Sequence, residues 1–281
     1  MTKEEFISQF KSIEKIKKGG QKIVYKAIYP NDSIVALKLI YNANDPRIKQ
    51  EIEILNNLHI SNVPNIICTG YITDEASQDE ALYIIEEYIP GQSLRDILNE
   101  NRTFDLPSLY NIFKSLLLIE IELEKCNLLH RDINPNNIMI SNESVIYLID
   151  FGLAKNLNGT TITDTNALNG PFTPGYAPNE QIANKRMEQD VRTDLFQIGV
   201  TIYECCVGNN PFADKTDNIC DIIYKTTTYS PPTLNITGDT NGQFAQLINM
   251  LMAKNPSQRP DSAEAALRYL IAIGKMINLE V

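Results

Sequence analysis

Near residue 89 the hydrophobic pattern of this chain changes period, and that change limits the folds open to it. Before that point, period-2 alternation marks strands at about 12–18, 23–27, 33–40, 66–72 and 81–88. Gly19-Gly20 separates the first two, and a short amphipathic stretch at 3–10 precedes them. A helix interrupts the series, with Ile52, Leu55 and Leu58 at three-residue spacing and Pro46 near its start. Pro90-Gly91 then punctuates the chain. Beyond it, 93–100 and 106–126 read as helices, 138–140 and 145–149 as short strands. From Asp194 onward the pattern is helical except for a Pro/Thr-rich loop near 230–238. No repeat or low-complexity linker interrupts it. The reading is α+β: a small antiparallel-sheet lobe, a short connector, and a larger, mainly helical lobe.

The 281 residues suggest one large domain or two intimate lobes, and 43% apolar residues suffice for a sizeable core. The formal charge of −10 argues against nucleic acid or an anionic membrane as the main partner. No apolar stretch reaches the roughly 18 residues of a membrane helix, and MTKEEF carries acids where a signal peptide carries cations. Cys68, Cys126, Cys205, Cys206 and Cys220 are odd in number and scattered. They read as reduced core residues of a cytoplasmic protein. That there are only two histidines, His59 and His130, argues against a zinc enzyme built on histidine ligands.

The chemistry lies in His130-Arg131-Asp132, followed by Asn137 and then by Asp150-Phe151-Gly152. The apolar segment between Asn137 and Asp150 turns at 141–144, so a hairpin would bring these two side chains to one end. Two oxygen ligands there, completed by phosphate oxygens and water, suit Mg²⁺. Asp132 is a separate carboxylate available to a substrate hydroxyl. Taken singly, each Asp or Asn is more simply a turn cap. The ordered set is what points to a site.

This set resembles the catalytic loop and metal-binding motif of protein kinases, most closely the bacterial relatives of the eukaryotic Ser/Thr kinases. The similarity runs from about Ser12 to about Leu270. It implies a single bilobal kinase domain over 1–281: an N-lobe of about 1–88, a hinge of about 86–91 and a C-lobe of about 92–281. Transfer of the ATP γ-phosphoryl group to Ser or Thr hydroxyls of protein substrates is the implied activity. Asp132 would accept the hydroxyl proton, Lys38 in Val35-Ala36-Leu37-Lys38 would hold phosphates, and Asn137 and Asp150 would hold Mg²⁺ or Mn²⁺. Glu51 is the implied partner of Lys38. The phosphate-covering loop spans Lys17, Gly19, Gly20 and Lys22, with only Gly19 in a glycine position of the family pattern. Val24, Ala36 and Met139 would sandwich the purine, and backbone groups of Glu87 and Ile89 would bond it. Glu86 stands where apolar residues are commoner, so either it pairs with a cation or the register is off by one.

Further implied pairs are Glu180 with Arg259, and Asp194 with the backbone of the catalytic loop. Leu55, His130 and Phe151 would stack, which makes His130 structural. Asn134 replaces the usual lysine, and Asn179 a usual proline. Thr173 would contact Asp132. Thr163 or Thr165, beside Asp164, would take phosphate and bond Arg131, making the chain a phosphoprotein. Two other readings stay open: an ATP-binding pseudokinase scaffold, favoured by the degenerate glycine loop and Asn134, and a small-molecule kinase. The segment Thr173 to Glu180 with Arg259 argues against the latter, because small substrates need no peptide-docking floor.

Overall fold

The computed structural model describes the chain except residues 19–21, 42–51, 55, 57, 59, 74–79, 101, 158–171 and 280–281. Two compact units divide it: Met1–His59 with Val63–Pro90, and Ile60–Asn62 with Gly91–Val281.

The first unit is an antiparallel five-stranded sheet: β1 (Ser12–Lys18), β2 (Lys22–Ile28), β3 (Ile34–Ile40), β4 (Ile66–Thr73) and β5 (Glu80–Glu87), in the order β1-β2-β3-β5-β4. Alternation along β3 sets its two faces. Val35, Leu37 and Leu39 join Ala27, Tyr83 and Ile85 in one cluster, capped by Phe6 and Phe10. Phe6 lies on α1 (Lys3–Ile7), whose start is fixed by a Thr2–Glu5 capping box, and its ring meets Tyr83 at 4.5 Å. Burying it contributes about 1.5–3 kcal/mol. The other face of β3 carries Ala36, Lys38 and Ile40. Ile40 packs with Leu82 and Ile84, and with the partly buried Ile52 and Ile66. Residues 52–54 are helical, as their spacing predicts.

In the second unit, β6 (Gly91–Ser93) leads into α2 (Leu94–Asn99), whose N-terminus carries a Ser93–Asp96 capping box. A Cβ on Gly91 would come within 2.0 Å of the Ile140 carbonyl oxygen, so only glycine allows this approach. The long helix α3 (Leu106–Lys125) starts at an Asp105 cap and buries Leu109, Phe113, Leu116 and Leu117. There follow β7 (Leu128–Leu129), β8 (Ile138–Ser141), β9 (Ile146–Leu148) and β10 (Lys155–Asn156). Strands β6, β8 and β9 form one small sheet, and β7 pairs with β10. The helices α4 (Asn179–Ile182), α5 (Val191–Val207), α6 (Ile219–Thr228), α7 (Gln243–Leu251) and α8 (Ala263–Met276) complete the unit, with α3 packed on α8 and α5 on α7.

The fold is the mixed α+β architecture expected, a sheet-rich first unit and a mainly helical second one. No helix among the described residues is long and apolar enough to cross a membrane. All five cysteines are free, but the core reading holds for Cys205 alone: Cys68, Cys126 and Cys220 are exposed. Cys68 lies on the edge strand β4, where an apolar run still leaves one face to solvent. Cys126 caps the end of α3 and Cys220 opens α6.

Candidate active site

The β8–β9 hairpin does what the spacing of Asn137 and Asp150 requires. Ile138 pairs with Leu148, and the Ile149 N–H donates to the Asn137 carbonyl at 2.8 Å. Asn137 and Asp150 therefore leave the same end of the hairpin. The Asn137 amide N–H₂ donates to the Asp132 carboxylate at 2.8 Å and to its carbonyl at 2.9 Å. This turns the Asn137 amide oxygen into the donor available to a cation. One carboxylate and one amide oxygen form a hard donor pair that fits Mg²⁺ or a similar divalent ion.

Asp132 is held from three sides. Asn134 Nδ2 donates to its Oδ1 at 3.0 Å, Asn137 to its Oδ2, and the Thr173 hydroxyl to Oδ1 at 2.6 Å. Burial raises its carboxyl to about 6; these hydrogen bonds pull the other way, and the charge of Asp150 adds to the rise. Asn134 also accepts from the Asn136 N–H at 3.0 Å and is itself 2% exposed. It braces the loop, a role its identity as a missing lysine did not suggest.

Beneath this loop the backbone is fixed by buried side chains of α5. Asp194 accepts from the N–H groups of His130 and Arg131, each at 2.7 Å. Gln197 accepts from the Ile133 N–H at 2.7 Å and, with Gln181, donates to the Arg131 carbonyl. These bonds hold Arg131 at φ 65, a left-handed conformation that non-glycine residues rarely adopt. His130 meets Phe151 edge-on at 4.6 Å, and its Nε2 lies 3.2 Å from the Ile149 carbonyl. It is structural, as expected; Leu55, the third member of that stack, lies outside the described residues.

The segment from Thr173 to Glu180 is tied down at both ends. Gly175 has φ +85, and Tyr176 donates its hydroxyl to Glu204 and accepts from Arg95 at 2.7 Å. Arg95 also bonds Glu204 at 2.8 Å, and its backbone N–H donates to the Pro135 carbonyl at 2.9 Å. Arg95 thus links the catalytic loop to the substrate-side segment, and nothing in the sequence pattern singles it out. At the other end Glu180 meets Arg259 at 2.6 Å, both side chains fully buried, with Thr193 donating to the same carboxylate. This is the pair the sequence implies.

One buried group was not foreseen. Glu120 on α3 is fully buried, and neither carboxyl oxygen has a hydrogen-bond partner among the described residues. Burial, with Asp194 and Glu124 adding, raises its carboxyl well above the ordinary range. Arg131, Lys155 and Arg186 form a basic cluster. Burial first, then the charges of Arg131 and Arg186, lower the Lys155 ammonium, whose Nζ donates to the Arg186 carbonyl at 2.8 Å. The threonines expected to meet this cluster, Thr163 and Thr165, lie outside the described residues, as do Thr160, Thr161 and Asp164.

In the first unit, Val24 lies opposite Lys38, and Ala36 opposite Glu86, on one face of the sheet. Lys38 Nζ and Glu86 Oε2 form an ion pair at 2.8 Å with both side chains buried. Of the two alternatives for Glu86, pairing with a cation is therefore the one realised. Lys17 sits at the end of β1, exposed and opposite Val24. The Glu87 N–H donates to the Asn65 carbonyl at 3.0 Å, and Ile89 is buried. Gly19, Gly20 and Glu51 lie outside the described residues. Met139 is on β8 of the second unit, paired with Ser93 and Tyr147.

The sequence matches the protein kinase domain over residues 10–270. It is 30% identical over 98% of its length to a probable serine/threonine-protein kinase of Clostridium perfringens, of which it covers 39%. To the serine/threonine-protein kinase PknL of Mycobacterium tuberculosis it is 27% identical over 94% of its length and 65% of that protein. To the serine/threonine-protein kinase cds1 of Schizosaccharomyces pombe it is 30% identical over 77% of its length and 46% of that protein. The chain thus spans well under two thirds of the first and third of these relatives. With the catalytic loop, its Asp194 anchor and the Glu180–Arg259 pair all in place, the chain belongs to the protein kinase domain family.

Proposed function

We propose that this chain is one kinase domain that transfers the γ-phosphoryl group of ATP to Ser and Thr hydroxyls of protein substrates. The observation that carries the reading is the Thr173 hydroxyl donating to Asp132 at 2.6 Å, since a substrate hydroxyl would make the same contact. Asp132 orients the attacking oxygen and takes its proton as the bond to phosphorus forms and the bond to the leaving ADP oxygen breaks. Asn134 and Asn137 fix the carboxylate so that it needs no reorganisation. Asn137 and Asp150 hold Mg²⁺, which offsets the charge of the triphosphate. Lys38 binds the phosphates, and Val24 and Ala36, on the same sheet face, cover the base. With the Glu87 N–H committed to Asn65, base recognition at Glu87 falls to its carbonyl.

The basic cluster of Arg131, Lys155 and Arg186 supports regulation by phosphothreonine. Phosphate on Thr163 or Thr165 would relieve the mutual repulsion of these cations and order the segment. The buried Glu180–Arg259 pair supports a peptide rather than a small molecule as substrate, because it braces a docking floor. The five free thiols support a reducing, cytoplasmic setting.

The test offers ATP and Mg²⁺ with peptides that differ only in a Ser, Thr or Tyr acceptor, and with a small amino alcohol. Phosphate located by mass spectrometry on Ser and Thr alone is the expected outcome. Labelling confined to the amino alcohol would overturn the reading.

A further inference from the structure

The Lys38–Glu86 pair has no counterpart in the motif logic, which gives Lys38 a partner from the helix carrying Glu51. Its geometry is built into the sheet. Ala36 faces Glu86 and Lys38 faces Ile84 across the β3–β5 ladder, so Glu86 is the diagonal neighbour of Lys38 on one face. The two side chains meet at 2.8 Å and are 5% and 7% exposed. On that face Ile40, Leu82 and Ile84 form an apolar cluster, and Val24 faces Lys38 from β2. In such surroundings an ion pair is strong, and a third charge brought to it is felt strongly.

We propose that Glu86 is a resident counter-charge of Lys38 and sets the affinity of this domain for the phosphates of its nucleotide. This rests on the reading of Lys38 as the phosphate-binding lysine. In the nucleotide-free protein Glu86 pairs with the buried ammonium and aims it along the sheet. An arriving phosphate shares that ammonium with a carboxylate, and the two anions repel each other. Glu86 therefore positions Lys38 while weakening nucleotide binding. It acts through Lys38, so it is a positioning and affinity-setting residue and not a catalytic one.

Glu86→Gln keeps the shape and an acceptor oxygen and removes the charge. With Mg²⁺ and ADP as the probe, calorimetry should give binding about tenfold tighter than wild type, a change of about 1.4 kcal/mol. Adenosine, which lacks phosphates, should bind both proteins alike. The KM for ATP should fall while kcat moves less. In Lys38→Met the gain from Glu86→Gln should vanish. Unchanged or weaker ADP binding in Glu86→Gln, with Lys38→Met weakened, would overturn the proposal alone. Full ADP affinity in Lys38→Met would instead overturn the reading of Lys38.

A second measurement covers the case in which Glu86→Gln folds poorly. Lys38→Met and Glu86→Leu should each lower the thermal midpoint, and the double variant should recover most of the loss. Additive losses would show that the two charges do not depend on each other, and the proposal would fall.

Discussion

Replacing Asp194 by Asn separates two things that its carboxylate does. One oxygen accepts from His130 and the other from Arg131, each at 2.7 Å. Asn keeps one acceptor and turns an N–H₂ toward the second N–H. One charge-assisted bond is lost and a buried donor is stranded, together about 3–5 kcal/mol of local stability. Against this, burial raises the Asp194 carboxyl from 3.8 to about 7, with Asp132 adding, although both backbone bonds and Arg131 pull it down. That rise corresponds to about 4 kcal/mol held against the ionised form. The rise is net of those backbone bonds, so above pH 7 the ionised carboxylate costs the fold about 4 kcal/mol that a neutral Asn does not. The thermal midpoint of Asp194→Asn at pH 8 should therefore not fall below that of wild type.

The pH dependence follows from the sign of the rise. A carboxyl whose folded value lies above its unfolded one binds its proton more tightly in the native state. Stability is then lost as pH climbs from about 4 to about 7. Asn does not titrate, so the stability difference should move in favour of the variant by about 3 kcal/mol between pH 5 and pH 8. Glu120, Arg131 and Asp132 face the same carboxyl and are present in both proteins. Turnover has no such compensation. Arg131 is held at φ 65 by these bonds, and a shift of about 1 Å in the loop costs roughly 10²-fold in rate. The assay pairs calorimetry at the two pH values with phosphoryl transfer at saturating ATP. An equal stability loss at both pH values, with turnover unchanged, would refute the anchoring argument.

Three further outcomes are expected. Arg259→Leu leaves Glu180 charged, buried and unpaired, and should destabilise the protein by about 3–5 kcal/mol in denaturant titration; a loss below 1 kcal/mol would contradict the pairing. Asn134→Ala removes the donor at the Asp132 carboxylate and the acceptor for Asn136, so kcat should fall about tenfold or more with little change in the KM for ATP. Unchanged kcat would return Asn134 to the role of a passive replacement. Glu120→Leu removes two buried oxygens that lack partners among the described residues, and should raise stability by about 1–3 kcal/mol. A lower thermal midpoint would show that the carboxyl has a use its surroundings do not reveal.

What the sequence made legible was local. Period-2 alternation and the flanking turn residues placed the five strands of the first unit's sheet within a residue or two, even though β3 and β5 are buried on both faces. The Asn137–Asp150 hairpin followed from turn residues at a fixed distance. The Glu180–Arg259 contact spans 79 positions and the Asp194 contacts 64 and 63, and they came from the resemblance rather than from any pattern. Two-residue strands such as β7 and β10 are too short to carry a period. Arg95 and Glu120 were missed for a related reason. A charged residue on an amphipathic helix reads as solvated, and only tertiary packing shows that Arg95 joins Pro135 to Tyr176, or that Glu120 points inward. Glu86 was flagged as odd, and its partner became visible only from the β3–β5 register.

The central claim is that Asp132, Asp150 and Lys38 carry phosphoryl transfer, and it is tested most directly by the initial rate of labelled phosphate transfer from ATP in the presence of Mg²⁺. Asp132→Asn, Asp150→Asn and Lys38→Met, each shown to fold by its thermal midpoint, should lose roughly 10²–10⁴ in rate, or about 3–5 kcal/mol of transition-state stabilisation. Wild-type turnover in a folded Asp150→Asn or Asp132→Asn protein would contradict the account.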